Sequence, residues 1–345
     1  METHSRIKKK IIFFVAGKSG GHIIPALTRA HQLQAEGTID HAVLFSTDTT
    51  LDQKLIAHHA PGLEHIVLPI HQVPYRKKLL YPLFFARLLW SFCISFYYLL
   101  KKNPVRVISM GGLVSLPVCY AARIMRIPFE LYELNAVPGR ATAHLAPWAT
   151  QISLCFEQTK YALPAEKCRQ VNYPIRAALK NSLFNAPVIK KEHPTLFITG
   201  GSQGSVALNT LIQTWLENNP EFYSKLYIIH QAGSGNSTGL QDFYKRLNIK
   251  ARVFDYHPQL EDIYPHADLI VTRAGAGALF EALFFKKQSI VIPLETHTTA
   301  HQKDNAYALS EKHPDLFTVI THTEIADNPF ILYAALNKKL NNYSI

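Results

Sequence analysis

Asp268–Leu283, DLIVTRAGAGALFEAL, reads as strand, glycine loop and helix in one unbroken run. Leu269 to Val271 are apolar, and Ala274, Gly275, Ala276 and Gly277 make a loop almost without side chains, so backbone can approach a ligand closely. Leu279, Ala282 and Leu283 recur at helical spacing and leave Glu281 near the exposed start of the helix. A helix N-terminus behind a small-residue loop attracts anions, and a carboxylate one turn in accepts hydrogen bonds from sugar hydroxyls. The stretch fits a nucleotide or nucleotide-sugar site, and equally an ordinary tight connection.

The same unit recurs upstream. Thr195 to Thr199 is a strand, GGSQGS at Gly200–Ser205 is a second glycine loop, and Leu208, Leu211, Ile212 and Trp215 mark the helix it opens. In the first half, Ile11 to Ala16 is a buried strand, followed by GKSGGH at Gly17–His22 and a helix with Pro25 in its first turn and Gly37 as its stop. The GKS triplet is no P-loop, which needs glycine where Ile12 stands. Strands at Ala42–Ser46, Glu64–Leu68 and Val105–Met110 alternate with helices, the pattern of a parallel sheet. Glu133 and Asn135 follow a strand in FELYELNAVPG, at the strand end where such sheets place ligands. Each half has its own glycine-loop unit, so the expected fold class is α/β, with two facing Rossmann-like domains and a central cleft. Weak alternation after Phe156, punctuated by Pro164, Pro174, Pro187 and Pro194, marks the connection and divides residues 1–173 from 174–345. A helix is expected from about His301 to Leu309, with no obvious final helix returning to the first domain.

With 48% hydrophobic and 18% charged residues the chain is globular, and Cys93, Cys119, Cys155 and Cys168 form no CxxC pair, which fits a reducing cytoplasm. The net charge of +11 is concentrated: no acid lies between His65 and Phe129, where Arg76, Lys77, Lys78, Arg87, Lys101, Lys102, Arg106, Arg123 and Arg126 stand. Within that region Leu79 to Leu100 is almost long enough to span a bilayer, at about 20 residues. Arg87, Ser91 and Ser95 lie four apart with Lys102 beyond, a polar stripe that fits a helix lying on an anionic membrane surface, the alternative being a helix that only covers the sheet. The basic residues flank this apolar helix and do not alternate with base-stacking aromatics, so nucleic acid is not an expected partner.

Six motifs in register resemble one family, the MurG-type glycosyltransferases of the GT-B fold. They are GGH at Gly20–His22, MGG at Met110–Gly112, ELNAVPG at Glu133–Gly139, GGSQG at Gly200–Gly204 followed by Asn209, RAGAGALFE at Arg273–Glu281 and HQKDNA at His301–Ala306. The resemblance implies inverting transfer of N-acetylglucosamine from UDP to lipid-linked muramoyl-pentapeptide in peptidoglycan synthesis. It also implies a peripheral location on the cytoplasmic face of the membrane, docking through about Tyr75 to Lys102. On the donor side it implies Gly201, Ser202, Gln203 and Ala276 around the diphosphate, with Asn209 and Arg176 nearby. Tyr256 and His257 would meet uracil, Glu281 the ribose, and His301 and Gln302 the sugar, with Asn305 supporting their helix. On the acceptor side it implies Lys18, Ser19, Gly20, Gly21 and Asn135, with His22 or Glu133 as catalytic base.

The chain departs from the family pattern at Lys18, where the family has glycine, and at Tyr132, Leu134, Tyr173 and His301. Lys18 is read as a partner for the lipid diphosphate. No Asp-x-Asp spacing occurs, so no metal and no cofactor is expected, and backbone donors at helix N-termini are left to stabilise the leaving diphosphate. His22 suits a base at neutral pH, with an unperturbed pKa of about 6.5, and equally suits a loop histidine donating to phosphate. Another GT-B lipid glycosyltransferase, a sugar-nucleotide epimerase and a non-catalytic UDP-sugar-binding relative are the alternatives.

Overall fold

The structure, a computed structural model, describes residues 9–70, 73–74, 77–176, 193–295, 301–341 and 343. Tyr75, Arg76 and Pro187, singled out above, lie outside the described residues. The chain divides into two compact units, Met1–Pro174 and Ile175–Ile345.

In the first unit β1 (Ile11–Val15), β2 (His41–Thr47), β3 (Glu64–Leu68), β4 (Arg106–Ser109), β5 (Phe129–Glu133), β6 (Gln151–Leu154) and β7 (Cys168–Gln170) form one parallel sheet in the order β3-β2-β1-β4-β5-β6-β7. Between them run α1 (Gly20–Ala35), α2 (Thr50–His59), α3 (Tyr81–Lys102), α4 (Ser115–Ile124) and α5 (Arg140–Leu145). Phe13, Phe14 and Val15 are all buried, the unbroken apolar run of a strand covered on both faces. The chain leaves β1 toward β3 and returns on the other side to β4, so strand order reverses between β1 and β4. That switch point is where an open α/β sheet holds its ligand. Strand β7 lies inside the stretch expected to be only a connection; at three residues it is too short to show periodicity.

The second unit repeats the plan with β8 (Thr195–Thr199), β9 (Tyr227–Gln231), β10 (Lys250–Phe254), β11 (Leu269–Thr272), β12 (Gln288–Val291) and β13 (Phe317–Val319), ordered β10-β9-β8-β11-β12-β13. Its helices are α6 (Val206–Glu217), α7 (Ser237–Arg246), α8 (Ala276–Phe284), α9 (His301–Lys312), α10 (His322–Asp327) and α11 (Phe330–Asn341). Here the switch point lies between β8 and β11. After α9 the chain continues in α10 and α11. α11 buries Leu332, Leu336 and Leu340 in the core of this second unit, and Trp215 Nε1 donates to Asn337 Oδ1 at 3.1 Å.

Helix α3 is long and apolar enough to cross a membrane. Its polar stripe faces inward: Ser91 and Ser95 are fully buried with Leu99, and α3 packs against α4. Small hydroxyl residues let the helix sit close, and Ser95 Oγ returns its hydrogen bond to Ser91 O at 2.7 Å. The apolar arc therefore points outward, with Leu83, Phe85, Leu89, Trp90, Tyr97 and Leu100 exposed. Lys102 is drawn aside by Glu64, at 2.7 Å, and the carboxylate pKa is lowered chiefly by that bond. Ser91→Leu should overpack the buried face and destabilise by about 1–3 kcal/mol. Leu89→Ala, on the outer face, changes stability by less than about 0.5 kcal/mol in the same denaturant titration.

Candidate functional site

At the first switch point the loop after β1 is held open by glycine and by one buried acid. A methyl group on Gly17 would stand 3.0 Å from Thr47 Cγ2 and 3.2 Å from Asp52 Oδ2. Lys18 follows in the left-handed region, φ 67°, where a side chain costs about 1 kcal/mol. Its amide donates to both oxygens of Asp52, at 2.9 and 3.0 Å. The Lys18 ammonium is half-buried and its pKa is lowered by burial, against the opposing pull of Asp52 and Asp48. Ser19 is the N-cap of α1, with extended backbone, and its hydroxyl does not cap the helix. Gly20 and Gly21 are the first two residues of α1.

His22 lies in the first turn of α1, beside the loop after β4. A methyl on Gly112 would be 3.5 Å from His22 Nδ1, and one on Gly111 would be 4.0 Å from Nε2. Both glycines have positive φ, the backbone region that favours glycine, and a methyl at either would make only ordinary van der Waals contact with the ring. Glu133 ends β5 and is 3% exposed. One oxygen accepts from Asn135 N and Nδ2, at 3.1 and 3.3 Å, and the other from Gly139 N at 3.0 Å. Burial raises its pKa, and these bonds with one from Thr142 pull it back. Both carboxylate oxygens are thus committed to the Asn135–Gly139 loop. Glu133 anchors that loop, and His22 and Glu133 are the two base candidates of this unit.

At the second switch point backbone meets backbone. A methyl on Gly204 would stand 2.3 Å from Gly233 Cα, so the loops after β8 and β9 touch main chain to main chain. Gly201 has φ 79° and open space around it, Ser202 is half-buried, and Gln203 is exposed. Arg273, after β11, donates to Gly204 O at 3.3 Å and ties the third loop to the first; burial lowers its pKa. Ala276 opens α8 and is nearly covered.

Asn209 does not face this loop surface. It is buried, with Nδ2 on Ala232 O at 2.9 Å and Oδ1 on His230 Nε2 at 3.0 Å. Since that oxygen must accept, His230 carries its proton on Nε2 and accepts at Nδ1 from Tyr244 OH, 2.7 Å away. Burial holds His230 neutral, with its pKa pushed down to about 3. Arg176 is also turned inward, paired with Glu261 at 3.0 Å and donating to Pro258 O. It braces the half-buried Tyr256–His257 segment from beneath.

Glu281 is not at an exposed helix start; it lies in the second turn of α8. Burial lifts its pKa to about 7, while Arg176 and the Tyr264 hydroxyl pull it down and Glu261 pushes it up. On α9, burial lowers the pKa of His301. Gln302 Oε1 accepts from Leu294 N at 3.1 Å, so its outward chemistry is that of an NH2 donor. Asn305 is fully buried and donates to Ala274 O at 3.3 Å, joining α9 to the loop that opens α8.

The first unit matches the glycosyltransferase family 28 N-terminal domain over residues 12–154, and the second matches the family 28 C-terminal domain over residues 195–340. The UDP-N-acetylglucosamine--N-acetylmuramyl-(pentapeptide) pyrophosphoryl-undecaprenol N-acetylglucosamine transferase of Tolumonas auensis is 30% identical, over 88% of this chain and 83% of its own. The chain belongs to the MurG-type glycosyltransferases of family 28. The protein of the same name from Carboxydothermus hydrogenoformans is 29% identical over 86% of this chain and 81% of its own. The crystal structure of Acinetobacter baumannii MurG superposes with a TM-score of 0.71 at 24% identity, covering 96% of this chain and 90% of that one. The architecture is accordingly GT-B.

Several polar residues that support these loops were not singled out from sequence. Asp52, His230, Tyr244, Glu261 and Tyr264 are isolated polar residues inside ordinary helix and strand patterns, without a motif around them. Asp255 is another, accepting from Gly235 N and Ser237 N at 2.9 Å each. Main-chain approach is the feature most open to test. Gly204→Ala should abolish UDP binding in calorimetry and lower Tm by about 5 °C or more. Gly201→Ala, with open space, should cost only the left-handed backbone, about 1 kcal/mol.

Proposed function

We propose that this chain is an inverting glycosyltransferase that moves N-acetylglucosamine from UDP-N-acetylglucosamine to the C4 hydroxyl of a lipid-linked muramoyl-pentapeptide in peptidoglycan synthesis. The observation that carries the reading is the family match across both units, with a glycine loop at each switch point. In this reading the second unit takes the donor. Backbone at Tyr256 and His257 reads uracil, Glu281 accepts from the ribose hydroxyls, and Gly201, Ser202, Gln203 and Ala276 surround the diphosphate. His301 and the Gln302 amide contact the sugar, while Asn209, Arg176 and Asn305 hold these groups in place.

The acceptor lies with Lys18, Ser19, Gly20, Gly21 and Asn135 in the first unit, and His22 is the base. The acceptor oxygen forms a bond to the anomeric carbon as the bond from that carbon to the diphosphate oxygen breaks. His22 takes the hydroxyl proton and UDP leaves with the bonding pair. Fixed backbone donors and the N-termini of α6 and α8 stabilise the charge developing on the diphosphate, at about 1.5–3 kcal/mol per charge-assisted bond. The test is transfer of radiolabel from UDP-N-acetylglucosamine to a short-chain lipid acceptor. Transfer should persist with chelator, and label appearing only as free sugar or as an epimerised nucleotide would refute the assignment.

The outward arc of α3 supports a peripheral site on the cytoplasmic face of the membrane. Leu83, Phe85, Leu89, Trp90 and Leu100 suit the acyl boundary, and Lys77, Lys101, Arg123 and Arg126 are exposed cations that suit anionic headgroups. Flotation with anionic vesicles should fall at least about tenfold in a Leu89→Asp, Trp90→Asp variant, because each buried apolar side chain contributes about 1.5–3 kcal/mol.

Glu281 gives a signed pH dependence. Its folded pKa of about 7 lies above the ordinary carboxyl range, so its protonated form stabilises the free fold below about pH 4.5, and that contribution is lost as pH rises through 7. Ribose hydroxyls donating to the carboxylate favour the ionised form instead. UDP binding should therefore tighten between about pH 6 and 8, and Glu281→Gln should remove that step and weaken binding by about tenfold at pH 8.

A further inference from the structure

The loop after β1 carries a lysine in a backbone conformation that favours glycine, and Asp52 is the group that holds it there. Asp52 is the third residue of α2, and its own amide is capped by Thr49 Oγ1 at 3.3 Å. Its carboxylate is fully buried. Oδ1 accepts from Lys18 N, while Oδ2 accepts from Lys18 N, from Thr47 N at 3.2 Å and from Thr47 Oγ1 at 2.5 Å. One side chain thus joins the loop after β1 to the C-terminal end of β2, its neighbour in the sheet. An acid so placed also favours the positive end of α2. Its hydrogen bonds end on Lys18 N and on Thr47, and together with Asp48 it acts on the Lys18 ammonium only through its charge. The carboxylate fixes the lysine's backbone.

We infer that Asp52 is a positioning residue for acceptor binding: its carboxylate clamps Lys18 N–H and sets the left-handed turn that presents Lys18, Ser19 and the start of α1. The inference rests on the reading that this loop takes the lipid-linked acceptor. Asp52 touches no reacting atom. Without the clamp a lysine at this position relaxes toward negative φ, and the turn is lost. With glycine at position 18 the turn needs no clamp, because glycine adopts either sign of φ.

The test is a double-mutant cycle on the full chain, read in steady-state kinetics with UDP-N-acetylglucosamine and a short-chain lipid acceptor. Asp52→Asn puts an NH2 against N–H donors. It should raise KM for the acceptor about tenfold and leave KM for the donor within about twofold. In a Lys18→Gly background the same Asp52→Asn change should raise acceptor KM by less than about threefold, whatever Lys18→Gly does alone. Equal rises in both KM values, or an undiminished Asp52 effect in the Lys18→Gly background, would overturn the inference and mark Asp52 as a general fold support. Hydrogen exchange at the Lys18 amide reads the clamp without any substrate. Asp52→Asn should speed it by about tenfold or more relative to core amides, and unchanged exchange would also overturn the inference. Accelerated exchange with acceptor KM unmoved in Asp52→Asn, Lys18→Ala and Ser19→Ala would refute the acceptor reading instead, and with it the functional part of the inference.

Discussion

Main-chain approach at the two switch points is the constraint on which the rest of the molecule depends. In the second unit Gly204 and Gly233 are so close that no Cβ fits between them, and in the first a Cβ on Gly17 would press on Thr47 and Asp52, at 3.0 and 3.2 Å. Backbone amides at such places serve an anionic ligand well because they are already oriented and carry no side chain to reorganise. The cost is that nothing in a glycine loop fixes its own shape. Each unit therefore surrounds its loops with polar side chains, most of them buried, whose hydrogen bonds end on loop backbone. Asp52 holds Lys18, Glu133 holds Asn135 and Gly139, Asn209 holds Ala232, Gln231 holds Gly201, and Asp255 holds Gly235.

These supports explain why several residues expected at the ligand surface lie behind it. Asn209 and Arg176 are engaged by His230 and Glu261, and Gln302 keeps only its NH2 for outward contacts. Buried polar groups of this kind need partners, and His230, held neutral by burial, has both its ring nitrogens satisfied by Tyr244 and Asn209. Glu281 is treated differently. Its elevated pKa records a carboxyl partly deprived of solvent and incompletely compensated by Arg176 and Tyr264, a state that incoming hydroxyl donors relieve.

The fold was legible because its strands are unbroken apolar runs that end in glycine loops, at Ile11–His22, Thr195–Ser205 and Asp268–Leu283 alike. Period and punctuation were enough there. The failures have physical causes. β7 and β13 are three residues each, too short to carry a period, whereas α11 does have a start signal, Asn328 before Pro329, with the Asn328 side chain accepting from Phe330 N at 3.1 Å. The Ser91–Ser95 stripe was seen, but composition does not say which way a stripe points. A polar face on a surface helix is expected to meet water, whereas here its small size suits close packing and the bulky apolar face is left outside. Supports such as Asp52 were invisible because a lone acid in the first turn of a helix is ordinary.

The account divides the substrates between the units, the nucleotide with the second and the lipid-linked acceptor with the first. Hydrogen exchange of the full chain with and without UDP tests that division most directly. Protection is predicted at residues 200–204, 232–235 and 273–281, with residues 17–22 and 110–112 unchanged. Protection at the first-unit loops with none around Glu281 would contradict it.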